Sequence, residues 1–267
     1  MYKTLMEIGK LLGTGSFSSV YECVNNKGEK FAIKVEKKKE GYLLQKEAKI
    51  HFYLYKKDIN NEFILPVHQY YEDENNGYLV IDKMFMSFGE IIKKIGLKFD
   101  DYSVRNIARK VISILEFIHK HGICHGDIKP DNILISRDYK KLYLIDFGLS
   151  KYYIKKGEHV SFRKKVSPSG TLRYMSFHVN KYFQMSRRDD LISFGYLMVY
   201  LQKLYLPWQN IDGKNKYEKV AEMKENINIE YLCDGCVSGL KEYLEYCYKL
   251  DFEDEPDYEY LLNFFRT

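Results

Sequence analysis

His125-Gly126-Asp127-Ile128-Lys129-Pro130-Asp131-Asn132, followed after two short apolar runs by Asp146-Phe147-Gly148, is the stretch that decides the fold. The runs at 133–135 and 142–145 read as a pair of short strands. An Asp with an Asn five positions later puts a candidate base and a candidate metal ligand on one loop. Asp146, at the end of the second run, adds a carboxylate suited to a Mg²⁺ ion that bridges phosphates. An Asp at a strand end is often only a turn residue. The weight comes from the two motifs together, 19 residues apart with a strand pair between them.

Toward the N-terminus, Gly13-x-Gly15-x-x-Ser18-x-Val20 precedes a strand. Such a loop lets backbone N–H groups approach phosphates, because glycine carries no side chain to obstruct them. Runs at 20–24 and 30–36 flank Asn25-Asn26-Lys27-Gly28 and predict a hairpin. A second is written in 68–72, the Asn75-Asn76-Gly77 turn and 78–83. Between them, 43–55 lacks Gly and Pro and is apolar at 43, 44, 50 and 54, which predicts one helix laid across a sheet. Phe31-Ala32-Ile33-Lys34 lies on a strand and Glu47 in that helix, a spacing that matches a Lys–Glu ion pair holding ATP phosphates. Beyond 83 the pattern turns helical. Val104, Ile107, Ala108, Val111, Ile112, Leu115 and Ile118 follow helical spacing, with Asp101 or Ser103 as the expected N-cap, and 191–204 is a further helix.

The expected fold is therefore α+β and two-lobed, a sheet-rich N-terminal lobe over 1–82 and a helical C-terminal lobe over 83–267. The 267 residues, 45% apolar and 30% charged, suffice for two lobes with a core. A net charge of +5, 42 basic against 37 acidic residues, is too mild to imply nucleic-acid binding. Five cysteines, an odd number, and no Asn-x-Ser/Thr site lead us to expect a reducing compartment, cytoplasmic or nuclear. The longest apolar stretch, about 191–201, is too short to span a bilayer, and neither a signal peptide nor a lipidation box is written, so no membrane partner is expected. Cys233-Asp234-Gly235-Cys236 offers only two of the four ligands a structural zinc needs.

In these motifs the chain resembles the protein kinases. Gly170-Thr171-Leu172-Arg173-Tyr174-Met175-Ser176, Ser186-Arg187-Arg188-Asp189-Asp190-Leu191, Leu206-Pro207-Trp208-Gln209 and Pro256-Asp257-Tyr258 make it similar to the casein kinase 1 family in particular. That family lacks the usual Ala-Pro-Glu at the end of its activation segment, and Ser176-Phe177-His178 stands there. The resemblance implies a bilobal protein kinase fold with ATP in the cleft, and transfer of the γ-phosphoryl group of Mg-ATP to serine or threonine of acidic or pre-phosphorylated proteins by a monomer. It implies that Lys34 contacts the phosphates, that Glu47 orients it, and that Gly13, Gly15, Ser18, Val20, Ala32, Ile81 as gatekeeper, and Asp82 to Met84 as hinge surround the nucleotide. Asp127 would accept the substrate proton, Lys129 would neutralise the transferring group, Asn132 and Asp146 would hold Mg²⁺, and Asp190 would brace the catalytic loop. Arg173, with Lys214 as second partner, would receive an anion on the substrate.

Two positions depart from the family. Ser18 replaces the third glycine of the phosphate loop. Gly126 stands where most kinases have Arg, and offers no charge to order a phosphorylated activation segment, so activity without such phosphorylation is expected. His-Gly-Asp is also similar to the vaccinia-related kinases and to phosphotransferases of the aminoglycoside and choline kinase type, which remain the alternative. Nothing in those small-molecule enzymes matches the 170–176 and 186–191 blocks. A catalytically dead kinase-like scaffold is the other-class alternative, against which the Lys, the base and the metal ligands are all present.

Overall fold

Two side-chain-capped turns set the register of the N-terminal sheet. Asn25 Oδ1 accepts from the backbone of Lys27 and Glu29 at 2.9 and 3.0 Å, and Gly28 takes the left-handed φ of +79° that closes the turn. Strands β2 (Ser18–Val24) and β3 (Lys30–Lys37) pair across it, after β1 (Glu7–Thr14). In the second hairpin, Asp73 Oδ1 accepts from Asn75 and Asn76 at 2.8 and 2.7 Å. The turn thus falls earlier than the expected Asn75-Asn76-Gly77, and Asn76 already opens β5 (Asn76–Asp82) opposite β4 (Val67–Glu72). The computed structural model, which describes residues 6–15, 18–40, 43–60, 62–96 and 98–266, joins these strands in one antiparallel sheet of order β1-β2-β3-β5-β4.

Helix α1 (Leu43–Lys57) lies on this sheet. Its buried face is Leu44, Glu47, Ala48, Ile50, His51 and Leu54, the i, i+3, i+4 stripe of an amphipathic helix. Leu44 and Ala48 share a core with Ala32, Leu65, Val67, Leu79, Ile81 and Tyr143. Truncating a buried leucine in such a core typically costs about 2–5 kcal/mol. The first turn of α1 is held by a contact that spacing does not reveal: the buried carboxylate of Glu36 accepts from Leu44 N at 2.8 Å. This unit runs to Met86 and takes in Leu134–Gly148. The boundary expected at 82 therefore falls four residues later, and a segment expected in the helical lobe belongs to the sheet-containing unit. Tyr143, Leu134 and Ile145, packed into the sheet's core, are the reason.

The second unit, Ser87–Ile133 with the chain from Leu149 on, carries α2 (Phe88–Ile95), α3 (Asp101–Lys120), α4 (Phe177–Asn180), α5 (Arg187–Lys203), α6 (Lys216–Glu225), α7 (Ile229–Cys233), α8 (Leu240–Lys249) and α9 (Tyr258–Asn263). In α3 the predicted apolar positions are all buried. The N-cap, however, is Asp100 and not Asp101 or Ser103: its carboxylate accepts from Ser103 N at 2.8 Å, the cap-to-N3 bond that places Ser103 inside the first turn. Helix α5 is buried almost all round and forms the centre of the unit. Gly195 lets α8 approach it, because a Cβ there would lie 2.3 Å from Leu244. Among the described residues the five cysteines form no disulfide, and no helix is long and apolar enough to cross a membrane.

Buried His51 makes the first unit sensitive to acid. Its Nε2 lies 2.7 Å from the Leu65 carbonyl, which requires the proton on that nitrogen, and Nδ1 is left without a partner in the core. Burial lowers its pKa from 6.5 to about 4. The unfolded chain thus takes up a proton that the folded chain refuses, so the contribution of neutral His51 is whole above pH 6.5 and is lost between pH 6.5 and about 4. Urea unfolding should show the parent losing stability relative to His51→Gln from pH 7 toward pH 5, with a slope approaching about 1.4 kcal/mol per pH unit. A stability difference that does not change with pH contradicts this assignment.

Candidate active site

In the sheet-containing unit, Lys34 on β3 stands opposite Val20 of β2 and Leu79 of β5. Its Nζ is 2.7 Å from Glu47 Oε2 and 2.9 Å from Asp146 Oδ1, so three residues separated by up to 112 positions meet at one ammonium. Burial works against the Lys34 charge, but the Glu47 and Asp146 carboxylates outweigh it and hold its pKa above the usual lysine range. Burial pushes Glu47 up to about 7, against the pull of Lys34. Lys34 therefore stays a cation, ready for an anionic ligand. Asp146 has a positive φ of +70°, an uncommon conformation for a residue other than glycine that points to functional constraint. Phe147 beside it is fully buried edge-on to His51 of α1, and Lys46 of the same helix donates to the Gly148 carbonyl at 3.1 Å. Helix α1 thus positions both the Lys34 partner and the Asp146-Phe147-Gly148 turn.

Val20, Ala32, Ile81 and Met84 fall in one apolar cluster, and Leu134 and Ile145, which the sequence does not single out, join them. Asp82 is engaged twice, its backbone N–H with Pro66 O at 3.0 Å and its carboxylate with His68 Nε2 at 2.6 Å. The glycine loop differs from expectation. Gly13 lies within β1, paired with Val20, and the Gly15 N–H is spent on Ser18 O at 2.8 Å. Ser16 and Phe17 lie outside the described residues. A Cβ on Gly13 would meet nothing within 4 Å, so open space rather than backbone freedom is what that glycine supplies.

In the helical unit, Asp127 is 6% exposed and its carboxylate receives four donors. Thr171 N and Oγ1 reach Oδ1 at 2.9 and 2.8 Å; Lys129 Nζ and Asn132 Nδ2 reach Oδ2 at 2.5 and 3.2 Å. Asn132 Nδ2 also donates to Asp127 O at 2.9 Å. Both amide hydrogens of Asn132 are thereby turned toward Asp127, which presents its oxygen as a ligand. The side-chain oxygen of Asn132 in this unit and the Asp146 carboxylate in the sheet-containing unit are each hard donors of the kind Mg²⁺ takes, so the chemistry of each residue fits the ion. The loop beneath is held by Asp190 of α5, which accepts from His125 N at 2.6 Å, Gly126 N at 2.8 Å and, at 3.0 Å, His119 Nε2. Burial alone would raise the Asp190 pKa, but these donors hold it below the usual carboxylate value. Tyr258 OH sits 2.6 Å from His119 Nδ1. Although His119, Cys124 and Asp190 cluster like metal ligands, His119 and Asp190 are already committed to these hydrogen bonds.

Gly126 has φ +82°, and a Cβ there would press on Met185 at 2.8 Å and on the Leu149 carbonyl at 3.2 Å. Gly170 has φ +112°, and a Cβ on it would lie 2.6 Å from Gly126 O. Two glycines in contact thus let the segment beginning at Thr171 come down onto Asp127. Of the other basic residues nearby, Arg163 is bonded to Gln184 at 2.9 Å. Arg173 lies over the rings of Tyr200 and Tyr174, at 5.3 and 6.0 Å from their centroids, and among the described residues no carboxylate is within ion-pair distance of it. Lys214 is exposed in the loop before α6, and the structure shows no bond joining it to Arg173 among the described residues. Where Ala-Pro-Glu would stand, Ser176 Oγ instead donates to Asp189 of α5 and accepts from Val179 N. Burial pushes Asp189 up to about 6.

The chain as a whole is similar to proteins of known name. A protein kinase domain model matches residues 6–255. Casein kinase I homolog 2 of Schizosaccharomyces pombe is 35% identical over 97% of this chain and 61% of its own length. Casein kinase I homolog 1 of Saccharomyces cerevisiae is 37% identical over 95% of this chain and 48% of its own. The chain thus spans about half to three-fifths of the curated relatives it matches. With the match covering nearly all of its length, the chain belongs to the protein kinase family.

Proposed function

We propose that this chain is a serine/threonine protein kinase of casein kinase 1 type, transferring the γ-phosphoryl group of Mg-ATP to acidic or already phosphorylated proteins. The observation that carries the reading is the Asp127 carboxylate, fixed by Thr171, Lys129 and Asn132. A hydroxyl that takes over one of these lone pairs is oriented for attack, and Asp127 then accepts its proton. Lys129, 2.5 Å from Asp127, supplies positive charge beside the attacking oxygen. Lys34, kept cationic by Glu47 and Asp146, binds the phosphates. Bound Mg²⁺ neutralises phosphate charge, and Asn132 and Asp146 are the residues that would hold it.

Substrate choice follows from Arg173. Its guanidinium lies over the rings of Tyr174 and Tyr200, with Nη1 3.5 Å from the Tyr200 hydroxyl, and no carboxylate among the described residues is within ion-pair distance, which suits it to an incoming anion. A phosphoserine brings about −1.5 to −2 charges, and the guanidinium fork binds such a group bidentately.

Radiolabelled Mg-ATP offered with casein, choline and an aminoglycoside should label casein alone, and Lys34→Met should lower that rate by about 10² to 10³. Labelling of a small alcohol and not of casein would transfer the assignment to the small-molecule phosphotransferases. For Arg173, a primed peptide should outpace its unprimed counterpart by about ten-fold or more in the parent, since hydrogen bonds to charged groups contribute roughly 1.5 to 3 kcal/mol. Arg173→Ala should lose the discrimination and keep its rate on the unprimed peptide. An equal fall on both peptides would make Arg173 a structural residue.

A further inference from the structure

Lys224, at the end of α6, has no exposed surface, although lysine ordinarily keeps its ammonium in water. Its Nζ lies 2.8 Å from Leu172 O, 2.6 Å from Met175 O and 3.0 Å from Asn180 Oδ1. Three acceptors meet the three hydrogens of one ammonium. The rings of Tyr196 and Trp208 close around it at 5.3 and 5.2 Å, presenting their electron-rich faces. Burial pulls its pKa well below the usual lysine value. Such a residue is expensive to build, because a buried polar group must find all its partners inside.

What this cage holds is the backbone that leads to Asp127. Trp208, one wall of the cage, donates its indole N–H to Arg173 O at 2.7 Å. The carbonyls of 172, 173 and 175 are thus each held by a donor, while Thr171 immediately before them donates its N–H and its hydroxyl to Asp127 Oδ1 and accepts from Tyr174 N and Met175 N on its own carbonyl. The grip is itself anchored. Lys224 O accepts from Tyr248 OH at 3.0 Å, and Tyr248 OH is 2.5 Å from Tyr196 OH, so α6, α5 and α8 fix the ammonium.

We propose that Lys224 is a positioning residue for phosphoryl transfer: by holding the carbonyls of Leu172 and Met175 it keeps Thr171 against Asp127 and so keeps the base aimed. The inference rests on the kinase reading of Asp127. Lys224 has no exposed surface with which to meet substrate or nucleotide, and its effect passes through one residue, Thr171.

Lys224→Met keeps the length and apolar stem and removes the three donors. On the full chain, normalised to folded protein, kcat should fall ten-fold or more with the KM for ATP within two-fold of the parent. Amide exchange over 170–176 should accelerate at least ten-fold while that of α3 is unchanged. Combined with Thr171→Ala, the loss should stay within three-fold of the larger single loss, because both changes release the same carboxylate. Unchanged kcat and exchange, or losses that multiply, would overturn the proposal. Should Lys224→Met not fold, Asn180→Leu removes one acceptor at similar volume: a fall in kcat of three-fold or more, again not multiplying with Thr171→Ala, supports it, and parental kcat overturns it. A parent inactive on every protein, whose Lys224→Met variant still shows accelerated exchange at Thr171, defeats the kinase reading and leaves the grip on the backbone standing.

Discussion

A carboxylate that accepts four hydrogen bonds cannot turn, and the helical unit is organised around keeping Asp127 in that condition. Lys129 and Asn132 come from its own loop. Thr171 comes from a segment 44 residues further on, brought down by the close approach of Gly170 to Gly126. Below the loop, the buried carboxylate of Asp190 gathers two consecutive backbone N–H groups and the His119 ring. The charge-assisted bonds made by the two aspartates share a physical logic: low dielectric strengthens each one and makes an unpaired group costly, so the loop has one well-satisfied arrangement.

The sheet-containing unit solves a different electrostatic problem. A lysine drawn out of water tends to lose its proton, and here two carboxylates prevent that. Their placement depends on α1, which supplies Glu47 directly and packs His51 against Phe147, next to Asp146. Glu36 in turn fixes the start of α1 by accepting from Leu44 N. A defect at that cap would therefore reach Lys34 through the helix rather than through any contact with it.

Much of this was legible in the chain. Turn chemistry at Asn25 and Gly28, the apolar stripe of α3, and the order of Lys34, Glu47, Asp127, Asn132 and Asp146 are local or motif-level signals, and the structure unites Lys34, Glu47 and Asp146 at one ammonium and sets Asp127 against Asn132 in the other unit. The misses are long-range side-chain contacts to which spacing is blind. A glutamate on a strand gives no sign that it will cap a helix eight residues later, and a lysine in the polar sequence of α6 gives no sign of burial. Asp100 caps α3 from outside the apolar spacing, so the spacing points to residues of the first turn and not to the cap itself. The segment 134–148 has helical neighbours in sequence, yet it belongs to the sheet-containing unit because Tyr143 and Ile145 pack with the sheet, a contact that spacing does not show.

In the proposed transfer, Asp127 orients the attacking hydroxyl and takes its proton. Asp127→Asn keeps the shape of the side chain, leaves one oxygen able to accept, and removes the charge and the proton-accepting carboxylate. Measured by single-turnover transfer from saturating Mg-ATP to a serine peptide, alongside nucleotide affinity on the same preparation, the variant should lose about 10² to 10⁴ in rate with nucleotide binding unchanged, in the range expected for removal of a positioned base. A variant that transfers phosphate at the parental rate would contradict the account.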